Sequence, residues 1–245
     1  MSLYKELGKK IFRWIVVYYT FVFLFATYFI SQQFITLILV CLFHKNEFKE
    51  LTFHALKIQF DNQDSKWLWE FPEYFLSLIL SSVLTIVLTL FISKFFSKNP
   101  FKYLGFVRLK KSSFIWFFYF LLILIANYFL SSYLKLDYQL DLKHSNKTLL
   151  ILGFCVFGPL VEEVFFRGFL FVRMNDLLNK KYQWITLFIT SILFASIHLQ
   201  YDFRQMFVVF CIGLFLALVR WKTESLWLPI LFHVLNNSLA FYLLY

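Results

Sequence analysis

Residues 148–172 read TLLILGFCVFGPLVEEVFFRGFLFV. The run is long and apolar enough to cross a bilayer as a helix, yet it carries Glu162, Glu163 and Arg167 at its centre. A charge at that depth costs about 3 kcal/mol or more, so intramembrane acids and bases mark sites of function or tightly held pairs. By sequence, no other Asp or Glu falls within an apolar run. The fold reads as a membrane helix bundle because of what surrounds this stretch, and its function reads from the charges inside it.

Similar runs recur along the chain. Of 245 residues, 60% are hydrophobic and the mean hydropathy is +0.69, against about 45–50% apolar residues in a soluble domain. The polar stripes of a soluble all-α protein are mostly missing. The runs predict an all-α, polytopic membrane protein forming a single integral membrane domain over residues 1–245, with its active site inside the bundle. Seven spans are predicted: Trp14–Phe43, Tyr74–Ser93, Ser113–Leu134, Thr148–Val172, Trp184–Leu199, Gln205–Val219 and Leu226–Leu244. Ser31, Gln32 and Gln33 interrupt the first, at a bend or at its outer end, and splitting it there would make eight. The fifth and sixth are short for a full crossing. Trp67, Trp69 and Phe71, in the long loop after the first span, suit an interfacial anchor.

Net charge is +10. With the N-terminus inside and seven crossings, inside segments carry fifteen Lys and Arg and outside segments eight. That bias predicts a cytoplasmic N-terminus and an external C-terminus; a bacterial plasma membrane is the expected location. Nucleic-acid binding would need a basic face on a soluble module, and the sequence offers none. Cys41, Cys155 and Cys211 lie in apolar runs without a CxxC pair, which reads as packing rather than as a disulfide framework.

Within the central stretch, Glu163 and Arg167 are four apart and share a helix face, so they can pair. Glu162 is turned about 100° from Glu163 and about 140° from Arg167. It needs another partner: a water, a metal, a histidine or its own proton. A buried carboxylate of that kind is a candidate general base. Gly158-Pro159 just upstream predicts a kink or break, which could open a water-filled cavity to Glu162. Of five histidines, only His198 and His233 lie in predicted spans; His44, His54 and His144 lie in loops. Asn236 and Asn237 both fall near the face of His233, and spacing alone does not choose between them. Two histidines and a glutamate would suit zinc with an open position for water. The same residues suit a metal-free mechanism in which Glu162 activates water and His and Asn stabilise an oxyanion. There is no HExxH helix, GxSxG elbow or phosphate-binding glycine loop.

The order Glu162-Glu163-x-x-x-Arg167, Phe194-x-x-x-His198, His233-x-x-x-Asn237 resembles the CPBP intramembrane protease family, which includes type II CAAX prenyl endopeptidases and bacterial Abi or bacteriocin self-immunity proteins. Pro159, Gly168, Ser225-Leu226-Trp227 and Pro229 fit the same pattern. The resemblance covers roughly Phe154 to Leu243, in a family-like core of about residues 148–245. The earlier spans match only loosely, through Leu104-Gly105-Phe106 and Arg108. The resemblance implies that Glu162 activates water with help from His198, that His233 and Asn237 hold the oxyanion, and that Glu163, Arg167 and Phe194 support them. Family spacing selects Asn237 over Asn236. The family has been described both as metalloproteases, with zinc on a set such as Glu162, His198 and His233, and as glutamate-dependent proteases. The implied partners are membrane lipid and a peptide or lipidated protein substrate.

Three functions compete on these residues: an intramembrane endopeptidase, a non-proteolytic immunity or scaffold protein, and a proton-coupled transporter. The transporter reading lacks the repeat symmetry usual for that class. Straight parallel helices would put His198 and His233 at different depths, so the site requires a tilted or broken helix.

Overall fold

The computed structural model describes residues 2–43, 72–134, 136, 147–178, 182–198 and 201–244. The long loop with Trp67, Trp69, Phe71, His44 and His54, as well as His144, lies outside them. Among the described residues there is no strand. The helices are α1 (Ser2–Phe43), α2 (Pro72–Ser93), the short α3 (Pro100–Leu104), α4 (Ile115–Tyr133, entered through a 3-10 turn at Lys111–Phe114) and α5, a composite element over residues 147–177. They continue with α6 (Gln183–Ser196), α7 (Phe203–Thr223) and α8 (Trp227–Leu244). Five stretches are long and apolar enough to cross a membrane: residues 6–39, 73–93, 111–133, 147–177 and 203–223. The protein is an all-α, polytopic membrane protein. Its outer surface is apolar, with Phe12, Ile30, Phe91, Phe118, Phe129 and Ile192 exposed, as a lipid-facing surface requires.

Several sequence expectations change here. α1 is one helix through Ser31-Gln32-Gln33. Gln32 is buried, and Thr36 and Ser77 share a 2.6 Å hydrogen bond to α2, so these polar residues serve helix packing rather than an end. α7 extends beyond the predicted Gln205–Val219 because Asp202 and Gln205 form a reciprocal capping box at its start. α2 opens before Glu73, which is buried, so residues 158–168 are not alone in carrying an acid into a helix. Arg173 and Arg220, counted among loop charges, are buried as well. Leaving them out still gives thirteen basic residues inside against eight.

α5 lies at the centre. α2 and α8 pack along its first half, α6 along its second, and α1 against α2. α1 meets α2 at Ser77, the first of a row of small hydroxyl residues on α2, Ser77, Ser81, Thr85, Thr89 and Ser93, that are all buried. Small residues at such spacing let membrane helices approach closely. Ser77, Ser81, Thr89 and Ser93 bond back to a carbonyl of the preceding turn, whereas Thr85 Oγ1 is buried without a hydrogen-bond partner among the described residues.

The basic loop between α2 and α4 is tied to the α7–α8 turn. Leu226 N–H donates to Gly105 O at 2.7 Å and Ser225 Oγ to Val107 O at 3.0 Å; the Phe106 and Trp227 rings lie 5.1 Å apart. Gly168 faces the same point, where an added Cβ would lie 3.2 Å from Leu226 and 3.6 Å from Leu104. Residues 104–106, 168 and 225–227, separate signals in the sequence, therefore form one joint. Gly105 closes α3 at φ +98°, and a Cβ there would lie 2.5 Å from Arg220 Nη2. Arg220 is fixed by hydrogen bonds to Arg167 O (3.1 Å) and Leu104 O (3.3 Å), so it has little room to withdraw.

Gly105→Ala should therefore cost about 1–3 kcal/mol from backbone strain alone and lower the melting temperature of the detergent-solubilised protein. Gly8→Ala, with nothing within 4 Å, is the matched control and should leave it unchanged or slightly raised.

Candidate active site

α5 does not keep one helical register. Ile151–Phe157 and Val164–Leu170 are π-helical, and α-helical segments lie between and around them, including Gly158–Glu163 and Phe171–Leu177. π segments are scarce and recur at functional sites. Where a helix changes from five-back to four-back bonding, one carbonyl is passed over and needs another donor. Gly158 N–H bonds five back to Gly153 O. The carbonyl passed over is that of Phe154, and Pro159 has no N–H to offer it. Asn237 Nδ2 donates to Phe154 O at 3.1 Å. At the second switch, Phe171 N–H bonds to Phe166 O, and the carbonyl passed over, Arg167 O, accepts from Arg220 Nε. The break expected at Gly158-Pro159 is thus a change of register, closed by side chains from α7 and α8.

Between the switches lie the charges. Arg167 Nη1 donates to Glu163 Oε1 at 2.8 Å, with both side chains wholly buried. Arg167 Nη2 donates to Gly213 O at 3.1 Å, and its guanidinium lies 4.2 Å from the centre of the Phe194 ring. Gly213 makes room for this: a Cβ there would lie 3.1 Å from Phe194 and 3.3 Å from Arg167. Glu163 Oε1 also meets His233 Nδ1 at 2.9 Å. A carboxylate oxygen accepts, so His233 donates from Nδ1 and its Nε2 is turned the other way. There it lies 3.8 Å from Glu162 Oε2, beyond a direct hydrogen bond. Glu162 differs from its neighbour: its side chain keeps 23% exposure where Glu163 has none.

α6 ends at Ser196, and His198 stands just past it. His198 Nδ1 lies 2.8 Å from Phe194 O; a carbonyl only accepts, so Nδ1 carries the proton and Nε2 is left as a base or acceptor. The Phe194 ring meets the His198 ring at 4.9 Å and the His233 ring at 5.7 Å, both edge to face. The 14-residue α6 answers the depth problem: it stops short of a full crossing and brings His198 to the Phe194 level, where His233 also packs.

Glu162, Glu163, Arg167, Phe194 and His233 thus form one contact network, joined by His198 through Phe194. Asn237 reaches the same helix at Phe154, and Asn236 donates to Asn237 Oδ1 at 3.3 Å. The sequence reading missed Gly213, Arg220 and the Phe154 carbonyl. The glycine is an unmarked residue of an apolar run, Arg220 looks like a loop charge, and carbonyls leave no trace in a side-chain pattern. The zinc set of Glu162, His198 and His233 does not converge: among the described residues no three His, Cys, Asp or Glu side chains are placed to hold a metal ion. The inner nitrogens of both histidines face protein acceptors.

Residues 144–239 match the family model described as type II CAAX prenyl endopeptidase Rce1-like. Over this segment the chain is similar to the Rce1-like family. An uncharacterized 24.3 kDa protein of Escherichia coli is 31% identical over 96 residues, a match covering 38% of this chain and 42% of that relative. The chain therefore matches less than half the length of this curated relative. No solved structure matches. The Rce1-like segment contains the whole contact network and both register switches, whereas α1 and α2 lie outside it.

Removing one partner of a buried ion pair leaves the other charge uncompensated. Arg167→Met should therefore destabilise the protein by about 3–5 kcal/mol. The double variant Glu163→Gln/Arg167→Met should melt nearer to wild type than Arg167→Met alone in thermal unfolding, because no lone charge then remains in the bundle.

Proposed function

We propose that the protein is an intramembrane endopeptidase in which Glu162 activates the water that hydrolyses a peptide bond. One observation carries the reading most: of two adjacent glutamates, one is consumed by Arg167 and His233 while the other stays partly open and faces the outward nitrogen of that histidine. Such an arrangement divides the work. Glu163 fixes the ring of His233 through Nδ1, and Glu162 is left free to exchange a proton.

In this reading the Glu162 carboxylate takes a proton from water, and the hydroxide attacks the scissile carbonyl carbon. His198 Nε2 accepts a hydrogen bond from the same water and helps to aim it. The oxyanion that forms is held by the Asn237 amide hydrogen not committed to Phe154 and by His233 with a proton on each ring nitrogen, Nδ1–H to Glu163 and Nε2–H to the oxyanion. When the C–N bond breaks, the proton on Glu162 passes to the leaving amine, which restores the carboxylate. No step is routed through a metal. The Rce1-like match supports as substrate a peptide, or a protein tail bearing a prenyl group, that reaches the site from the bilayer. The charge bias of the loops supports an N-terminus on the cytoplasmic side.

The test is cleavage of an internally quenched, farnesylated CAAX-type peptide by purified protein in proteoliposomes. Wild type should cleave it, and Glu162→Gln should lower kcat about 100-fold or more while keeping a monodisperse, thermally stable protein. His198→Ala and His233→Ala should also lose activity. Cleavage by Glu162→Gln at the wild-type rate, or none by wild type, overturns the reading. Cleavage should persist after exhaustive chelation; a loss that added zinc restores would replace the metal-free mechanism.

A further inference from the structure

Two arginines from helices far apart in the chain meet at one end of the bundle. Arg13 of α1 and Arg173 of α5 line a single cavity of about 390 Å³, together with Phe12, Phe96 and Asp176. The way the helices run explains the meeting. The Phe21 and Phe165 rings lie 5.2 Å apart. Arg13 stands eight residues back from Phe21 and Arg173 eight residues on from Phe165, so antiparallel helices bring the two arginines to one level. Arg173 is held firmly. It is 8% exposed, and the centre of its guanidinium lies 3.8 Å from the centre of the Phe96 ring. Its hydrogen bonds to Asp176 Oδ2 (3.2 Å) and to Tyr103 Oη of α3 (3.3 Å) both leave from Nη1, and its Nε is buried with no hydrogen-bond partner among the described residues. Asp176 is itself shared, because Tyr103 donates to the same Oδ2 at 2.7 Å. Two guanidiniums against one carboxylate leave the cavity with an excess of positive charge.

A second cavity, of about 380 Å³ and almost wholly apolar, lies between Tyr19, Thr20 and Phe23 of α1 and Ile92 near the end of α2. Phe95 and Phe96 line both cavities, so the two adjoin. From Arg13 to Phe23 the helix rises about 15 Å, half of a hydrocarbon core about 30 Å thick. A basic head site therefore opens into an apolar slot one leaflet deep. The charge bias of the loops favours the cytoplasmic side for this end, where anionic lipids gather.

We infer that this end of α1 binds one anionic phospholipid, with its phosphodiester on Arg13 and Arg173 and an acyl chain along Phe23 and Ile92. The phosphodiester cancels the excess charge and offers acceptor oxygens to two guanidiniums, whose planar forks suit phosphate. A free phosphate shares the head chemistry but leaves the apolar slot bare. The bound lipid ties α1, which lies outside the Rce1-like segment, to α5 within it. Arg173 is eleven residues, or about 16 Å, along α5 from Glu162, so the inference does not depend on peptide cleavage.

The probe is dioleoylphosphatidylglycerol, added to the delipidated full-length protein in detergent, with bound lipid counted by native mass spectrometry. One molecule should bind, more tightly than dioleoylphosphatidylcholine, and excess inorganic phosphate should not displace it. Arg13→Gln, at an exposed position, should weaken binding roughly fivefold or more; Arg173→Gln should do the same, and Thr20→Phe, which fills the apolar slot, should weaken it too. Lys110→Gln, an exposed basic residue outside the cavity, should leave binding unchanged. Unchanged binding in Arg13→Gln overturns the inference, as does equal binding of the two lipids. An equal loss in Lys110→Gln overturns it in favour of general surface charge. Displacement by inorganic phosphate overturns it in favour of a free-phosphate site. Should Arg173→Gln or Thr20→Phe fail to fold, Arg13→Gln and the phosphate competition decide the matter alone.

Discussion

One carboxylate oxygen anchors the interior. Glu163 Oε1 receives both Arg167 and His233, within 3 Å of each, in a place with no exposure. In a low-dielectric bundle an isolated charge is intolerable, and this arrangement leaves none: the guanidinium neutralises the carboxylate, and the imidazole adds a second donor. The surroundings follow from that need. Phe194 supplies a ring face to the guanidinium, Gly213 supplies a carbonyl and the space for it, and α8 must bring His233 to within a hydrogen bond of α5. Three helices besides α5 are thereby tied to one side chain.

The second constraint is the backbone of α5. A helix in lipid has no water with which to satisfy a carbonyl that loses its partner. Two π-to-α changes create two such carbonyls, and side chains take both: Asn237 at Phe154 and Arg220 at Arg167. The register changes rotate and widen the stretch that carries the glutamates, and the side chains closing them come from the helices that form the rest of the site. Backbone irregularity and site assembly are therefore one event. Loss of either closing side chain would leave a bare carbonyl at membrane depth.

The two glutamates owe their different fates to a rotation of about 100° on one helix. Glu163 points into the Arg167–Phe194–His233 cluster, whereas Glu162 points to a half-open place on the far side of His233. An acid fully committed to a guanidinium makes a poor base, and an acid with room for water beside it makes a better one.

Much of this was legible in the sequence. Run lengths and composition determine a helical membrane protein, because lipid leaves a spanning chain few other ways to satisfy its backbone. The i,i+4 spacing determines that Glu163 and Arg167 can pair, and the order of the three motifs carries the resemblance to the family. What only the tertiary structure decided is where the remaining pieces meet. His233 could have served Glu162 or Glu163, and packing of α8 on α5 gave its inner nitrogen to Glu163. Arg220 could have been solvated, and the closeness of Gly105 buried it. His198 and Phe194 reach the level of His233 because α6 is short. These are distances between residues far apart in the chain, and hydropathy and spacing, which report only on neighbours along a helix, do not contain them.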